Sequence, residues 1–206
     1  MNIVIFTQRL IMKRIEVITT ESRLEVYCYR TFLDFENSNV LDLWQKNRNN
    51  TDAVRSITRP FYDLVHSLSV PSGFITERAL EKKRTDHAWV LCRDHCYSPQ
   101  FIYQMLMDNH ELYVNDYEKY FQIFKTACTT IDILSEQNRS LSFLTSNRGG
   151  KYKVYVPTDK KYQYLDIKLV TRNYGRQWYN KPADPVDNYI VTPQELLDYE
   201  KEFLAK

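Results

Sequence analysis

Only four glycines, Gly73, Gly149, Gly150 and Gly175, occur in 206 residues, and that scarcity narrows the possible folds before any other feature does. A dinucleotide or phosphate loop needs GxGxxG, or GxxxxGK followed by Ser or Thr, so that bare backbone can close on a phosphate. Neither pattern can be written with these positions. Collagen repeats and glycine-rich linkers fall to the same count. With 43% hydrophobic and 26% charged residues, the chain has ordinary globular composition and enough length for one core. A single domain over residues 1–206 is expected, with residues 87–172 as a core within it.

The formal charge of +2 is too small for a wholesale polyanion binder, so a nucleic-acid surface would have to be local. Cys28, Cys92, Cys96 and Cys128 are the only cysteines, and their uneven spacing does not make a disulfide framework. The opening MNIVIFTQRLIMKR has Gln8 and Arg9 inside what would be the apolar stretch of a secretory signal. No window approaches the roughly 20 apolar residues that cross a bilayer. A cytoplasmic protein with no membrane partner is the expectation; its oligomeric state is open.

Alternating apolar and polar residues over 13–33, broken by a polar TTES, predict an N-terminal β-hairpin. Helical spacing follows from Asn39 to Leu68, with Pro60 expected to kink or divide it. A short helix fits 75–84 and a strand fits His87 to His95. Ser98-Pro99 then opens a helix that runs to about Asn109. Further helices are predicted at 116–130, from Ser135, and from Thr192-Pro193. Residues 141–172 read as a β-meander. Hairpin, central helices, meander and C-terminal helix make an α+β fold.

One strand end carries chemistry-bearing side chains. In Arg93-Asp94-His95-Cys96-Tyr97-Ser98-Pro99, a carboxylate that can hold a cation stands beside an imidazole that can deprotonate water. Downstream comes Glu136-Gln137-Asn138, and nine residues after Asn138 comes Asn147. These pieces resemble the HNH, or ββα-metal, endonucleases over residues 87–151. The resemblance implies DNA as substrate and Mg²⁺, or Mn²⁺, as the ion. It makes His95 the general base, with Asn138 orienting it, and Asp94 and Asn147 the metal ligands. A second register sets His95 with Asn115 and Glu118. The same Asp94-His95 pair also suits a plain hydrogen-bonding role at the strand end.

Charge divides unevenly near the C-terminus. Lys151 to Lys181 holds eight Lys or Arg against two Asp, interleaved with aromatics, whereas Pro182 to Lys206 holds six acids against two Lys. Cations that neutralise phosphates, set among rings that stack on bases, make Lys151, Lys153, Lys160, Lys161, Arg172 and Arg176 candidate nucleic-acid contacts. Asp166-Ile167-Lys168 has the DxK spacing of another nuclease class, but on a strand that spacing also gives a solvent-facing pair. The leading expectation is a metal-dependent HNH-like DNA endonuclease, with the asparagine-, lysine- and tyrosine-rich composition suiting a phage. The other class is a non-catalytic nucleic-acid-binding or protein-interaction protein, regulatory or inhibitory in role.

Overall fold

The computed structural model describes residues 20–145, 158–186 and 193–204. In chain order among the described residues, three helices come first: α1 (Thr20–Phe35), α2 (Ser38–Asn47) and α3 (Thr51–Leu68). Strand β1 (Val70–Thr76), helix α4 (Glu77–Thr85) and strand β2 (Cys92–His95) follow. Helices α5 (Pro99–Asp108), α6 (His110–Tyr113) and α7 (Tyr117–Cys128) lead into β3 (Thr129–Ile133) and α8 (Ser135–Thr145). After a 3-10 turn at Thr158–Lys160 come α9 (Lys161–Tyr164), β4 (Leu169–Thr171), β5 (Pro185–Val186) and α10 (Gln194–Leu204). The α+β class expected from the sequence is the class observed.

The strands form one mixed sheet in the order β2-β3-β1-β4-β5. Its central pair, β1 and β3, is parallel, and the other pairings are antiparallel. Successive residues on β4 feed different clusters. Leu169 joins the main core with Ile131, Ile133 and the helical residues Phe61, Ile102 and Phe124. Val170 joins a smaller cluster with Ile75, Ala79, Leu80 and Leu134. Opposite-facing neighbours are what a pleated strand requires.

The N-terminal hairpin is not formed over the described residues, where α1 stands instead. Leu24, Cys28, Phe32 and Phe35 are buried at helical spacing, while Val26 is 65% exposed. In a strand Leu24, Val26 and Cys28 would share one face; in the helix Val26 rotates out, and Phe32 and Phe35 extend the buried stripe. Pro60 does not divide α3, which runs unbroken through it. The meander is likewise corrected. Helix α8 extends to Thr145 and residues 158–164 are helical, leaving β4 as the one strand among the described residues of 141–172. Tertiary anchors override the strand propensity of this tyrosine-rich stretch. The backbone N–H and hydroxyl of Thr158 both donate to the buried Glu200 carboxylate on α10, at 2.9 and 2.6 Å.

Among the described residues, no helix is long and apolar enough to cross a membrane.

Candidate functional site at the end of strand β2

Strand β2 lies antiparallel to β3, with Asp94 opposite Ile131 and His95 opposite Thr130. Helix α8 leaves β3 after a single residue and packs back against β2. Its start is fixed by Gln137, whose Oε1 accepts from the Leu134 N–H at 3.1 Å and from the Thr76 hydroxyl at 2.7 Å. Two antiparallel strands and a helix thus form the unit that carries the Asp94-His95 dipeptide, and Asn138 sits half-buried near the start of that helix.

The carboxylate of Asp94 is engaged inside this unit. Its Oδ2 accepts from the Lys161 ammonium at 2.7 Å and from the Tyr162 hydroxyl in a short hydrogen bond. The same ammonium donates to the His95 carbonyl at 2.9 Å. Lys161 is only 4% exposed, so its charge depends on these oxygens for the solvation it has lost. Lys161 was expected on a nucleic-acid surface; burial against Asp94 gives it an internal role instead. Tyr162 carried no signal in the sequence beyond its place in a tyrosine-rich run.

His95 points elsewhere. Its ring lies 4.4 Å from that of His66 on α3, centroid to centroid. Its Nε2 is buried with no hydrogen-bond partner among the described residues. Burial, reinforced by His66, lowers the His95 pKa to about 4, against the raising influence of Asp94 and a backbone hydrogen bond with Val65. The imidazole is therefore neutral at pH 7, the form a general base needs, but protein surrounds the nitrogen that would do the work.

The other expected residues are distributed more widely. Asn147, Lys151 and Lys153 lie outside the described residues. Lys160 and Arg176 are exposed. Arg172 turns inward: its Nε donates to Asp132 at 2.5 Å, and its guanidinium lies over the rings of Tyr174 and Trp178 at 5.1 and 4.4 Å. Asn115 and Glu118 are not brought to His95. Glu118, on the first turn of α7, accepts from Gln122 at 2.8 Å and lines a groove beside α1. The thiol of Cys96 is buried, which pushes its pKa up to about 12, so this cysteine is a core group and not a ready metal ligand.

A divalent ion at Asp94 does not fit the donors as arranged. Hard cations bind through several oxygens that are open to them, and Asp94 Oδ2 already holds an ammonium and a hydroxyl. Among the described residues, no three His, Cys, Asp or Glu side chains are grouped to share a metal ion.

A different surface feature has the shape of a binding site. A groove of about 420 Å³ runs between α1 and α7, lined by Glu25, Val26, Tyr29, Tyr117, Glu118 and Phe121. Val26, Tyr29 and Leu33 fall at i, i+3 and i+7 on α1, and all three are about half exposed or more. The edge-on contact of Tyr29 with Tyr117, centroids 5.9 Å apart, joins the two walls. Both charged lining residues are acidic.

No protein-family model, curated protein or solved structure matches this chain.

Proposed function

We propose that this chain is a non-catalytic protein-interaction protein that receives a basic, amphipathic helix in the groove between α1 and α7. The observation that carries this reading is the composition of the groove: exposed Val26 and Tyr29, ring walls from Tyr117 and Phe121, and two acids with, among the described residues, no cation lining it. A helix laying an apolar stripe into such a groove buries both surfaces, and its flanking Lys or Arg would meet Glu25 and Glu118. The engagement of Asp94 by Lys161 and Tyr162, and the enclosure of the His95 Nε2, support a structural role for that dipeptide.

The test uses two designed helical peptides with the same leucine stripe, one flanked by lysines and the other by glutamates, and reads binding by fluorescence anisotropy. The lysine peptide should bind more tightly, and Tyr29→Glu and Glu118→Lys should each weaken it. Equal binding of the two peptides, or binding unchanged by Tyr29→Glu, overturns the proposal. So does binding that emerges only when residues 1–19 are removed, because the groove would then belong to the chain's own N-terminal segment.

A second reading, the HNH-like DNA endonuclease, has one observation in its favour: Asp94-His95 lies on a strand of the ββα arrangement that β2, β3 and α8 make. Cleavage of plasmid DNA with Mg²⁺ or Mn²⁺, abolished by EDTA and by His95→Ala, would establish it. Intact DNA under the same conditions would remove it.

A further inference from the structure

We infer that the ammonium of Lys161 is a resident cation at the Asp94-His95 strand end, holding the position that a divalent ion would need and keeping one out. Three contacts carry the inference. Lys161 Nζ lies 2.7 Å from the Asp94 carboxylate and 2.9 Å from the His95 carbonyl, and Tyr162 donates to the same carboxylate oxygen. The first two are hard, anionic or strongly dipolar oxygens, the kind that Mg²⁺ and Mn²⁺ select. They converge on a nitrogen whose side chain is 5% exposed.

Charge and space then exclude a second cation. A divalent ion seated on Asp94 would place three positive charges beside one negative one where solvent screening is weak, and that repulsion is steep at contact distance. Binding would therefore require Lys161 to be expelled from its buried position, leaving the His95 carbonyl without its donor. The placement of Lys161 is local and deliberate in the sequence. Residues 158–160 form a 3-10 turn pinned by Glu200, and the helical turn that follows directs Lys161 and Tyr162 together at Asp94.

This inference deepens the proposed structural role of Asp94 and is independent of the groove. The test is Mn²⁺ alone as probe, with binding read by the loss of the free-ion EPR signal. Measurements cover wild type, Asp94→Asn, Lys161→Ala, Lys161→Arg, and the double variant Lys161→Ala/Asp94→Asn. Wild type and Lys161→Arg should show no stoichiometric binding. Lys161→Ala should bind one Mn²⁺ per chain at least about tenfold more tightly than wild type, the gain expected when a like charge leaves the site, and the double variant should lose it. Stoichiometric binding by wild type that disappears in Asp94→Asn overturns the inference, as does a folded Lys161→Ala that gains no affinity. Should Lys161→Ala fail to fold, Lys161→Met, which keeps the apolar stem without the charge, takes its place under the same expectations. Peptide binding and DNA cleavage are read in separate assays, so failure of the resident-cation inference is distinguishable from failure of either functional reading.

Discussion

Arg172 and Asp132 meet at 2.5 Å across the sheet, the arginine arriving just after β4 and the aspartate standing on β3. Both side chains are largely buried, at 18% and 11% exposure, and the Tyr174 and Trp178 rings cover the guanidinium. Removing one partner of such a pair leaves the other charge buried without compensation. Arg172→Ala should therefore cost on the order of 3 kcal/mol in urea unfolding. Adding Asp132→Asn should recover part of that loss, because the orphaned charge is gone. Additive losses in the double-mutant cycle would show that the pair is not coupled.

The same corner depends on Gly73. Its φ is +89°, a conformation that side chains with a Cβ rarely adopt, and the β1–β3 register shifts between Pro71 and Ile75. Its carbonyl accepts the Arg172 N–H at 2.7 Å, so the irregular turn in β1 helps aim Arg172 at Asp132. Gly73→Ala is expected to lower stability by about 1–2 kcal/mol through backbone strain. A melting temperature equal to that of wild type would contradict this.

Several elements were legible in the sequence because local signals and tertiary packing agree. Proline at the first position of α5, Asp116 accepting from the Lys119 N–H at the start of α7, and Thr76 capping α4 all mark starts that the structure keeps. Strands β1 and β3 were not legible. In β1, Pro71, Ser72 and Gly73 read as a turn and leave few apolar residues to show a period, and β3 is five residues set directly after α7 and one residue before α8, so Ile131 and Ile133 are too short a run to stand apart from the helices. The N-terminal error has a specific source, since Leu24-Val26-Cys28 satisfies period two over five residues and only Phe32 and Phe35 reveal the helical stripe. At the candidate site, the sequence marks Asp94 and His95 as adjacent and polar. It cannot show that Lys161 and Tyr162, more than sixty residues downstream, turn the carboxylate inward.

Asp108 at the end of α5 draws three elements together. Its carboxylate accepts from Trp44 Nε1 on α2 at 3.2 Å, from the Arg48 guanidinium at 2.8 Å and from the Tyr199 hydroxyl on α10 at 2.7 Å. The Arg48 side chain is more than half exposed, so its charge adds little, and the weight falls on the buried indole and the half-buried phenol. Asp108→Ala takes the acceptor from the buried Trp44 indole N–H and should cost about 1–3 kcal/mol. Trp44 fluorescence should change at the same time, whereas Arg48→Ala should alter stability by less than about 1 kcal/mol. An Asp108→Ala protein as stable as wild type would show that the three elements are held by packing alone.

His95 makes stability depend on pH with a definite sign. Its pKa is lowered to about 4 in the folded chain, against about 6.5 when unfolded, so between these values the unfolded state binds the extra proton. Stability is then full above about pH 6.5 and falls as the pH drops towards 4, by about 3 kcal/mol if His95 acts alone. His66 is lowered too, chiefly by burial, and contributes in the same direction. Urea midpoints at pH 7 and pH 4.5 should therefore differ more for wild type than for His95→Gln, with a residual slope in the variant from His66. Identical pH slopes in the two proteins would mean that His95 is hydrated and protonates freely when folded, and the account of a sealed Nε2 would have to be abandoned.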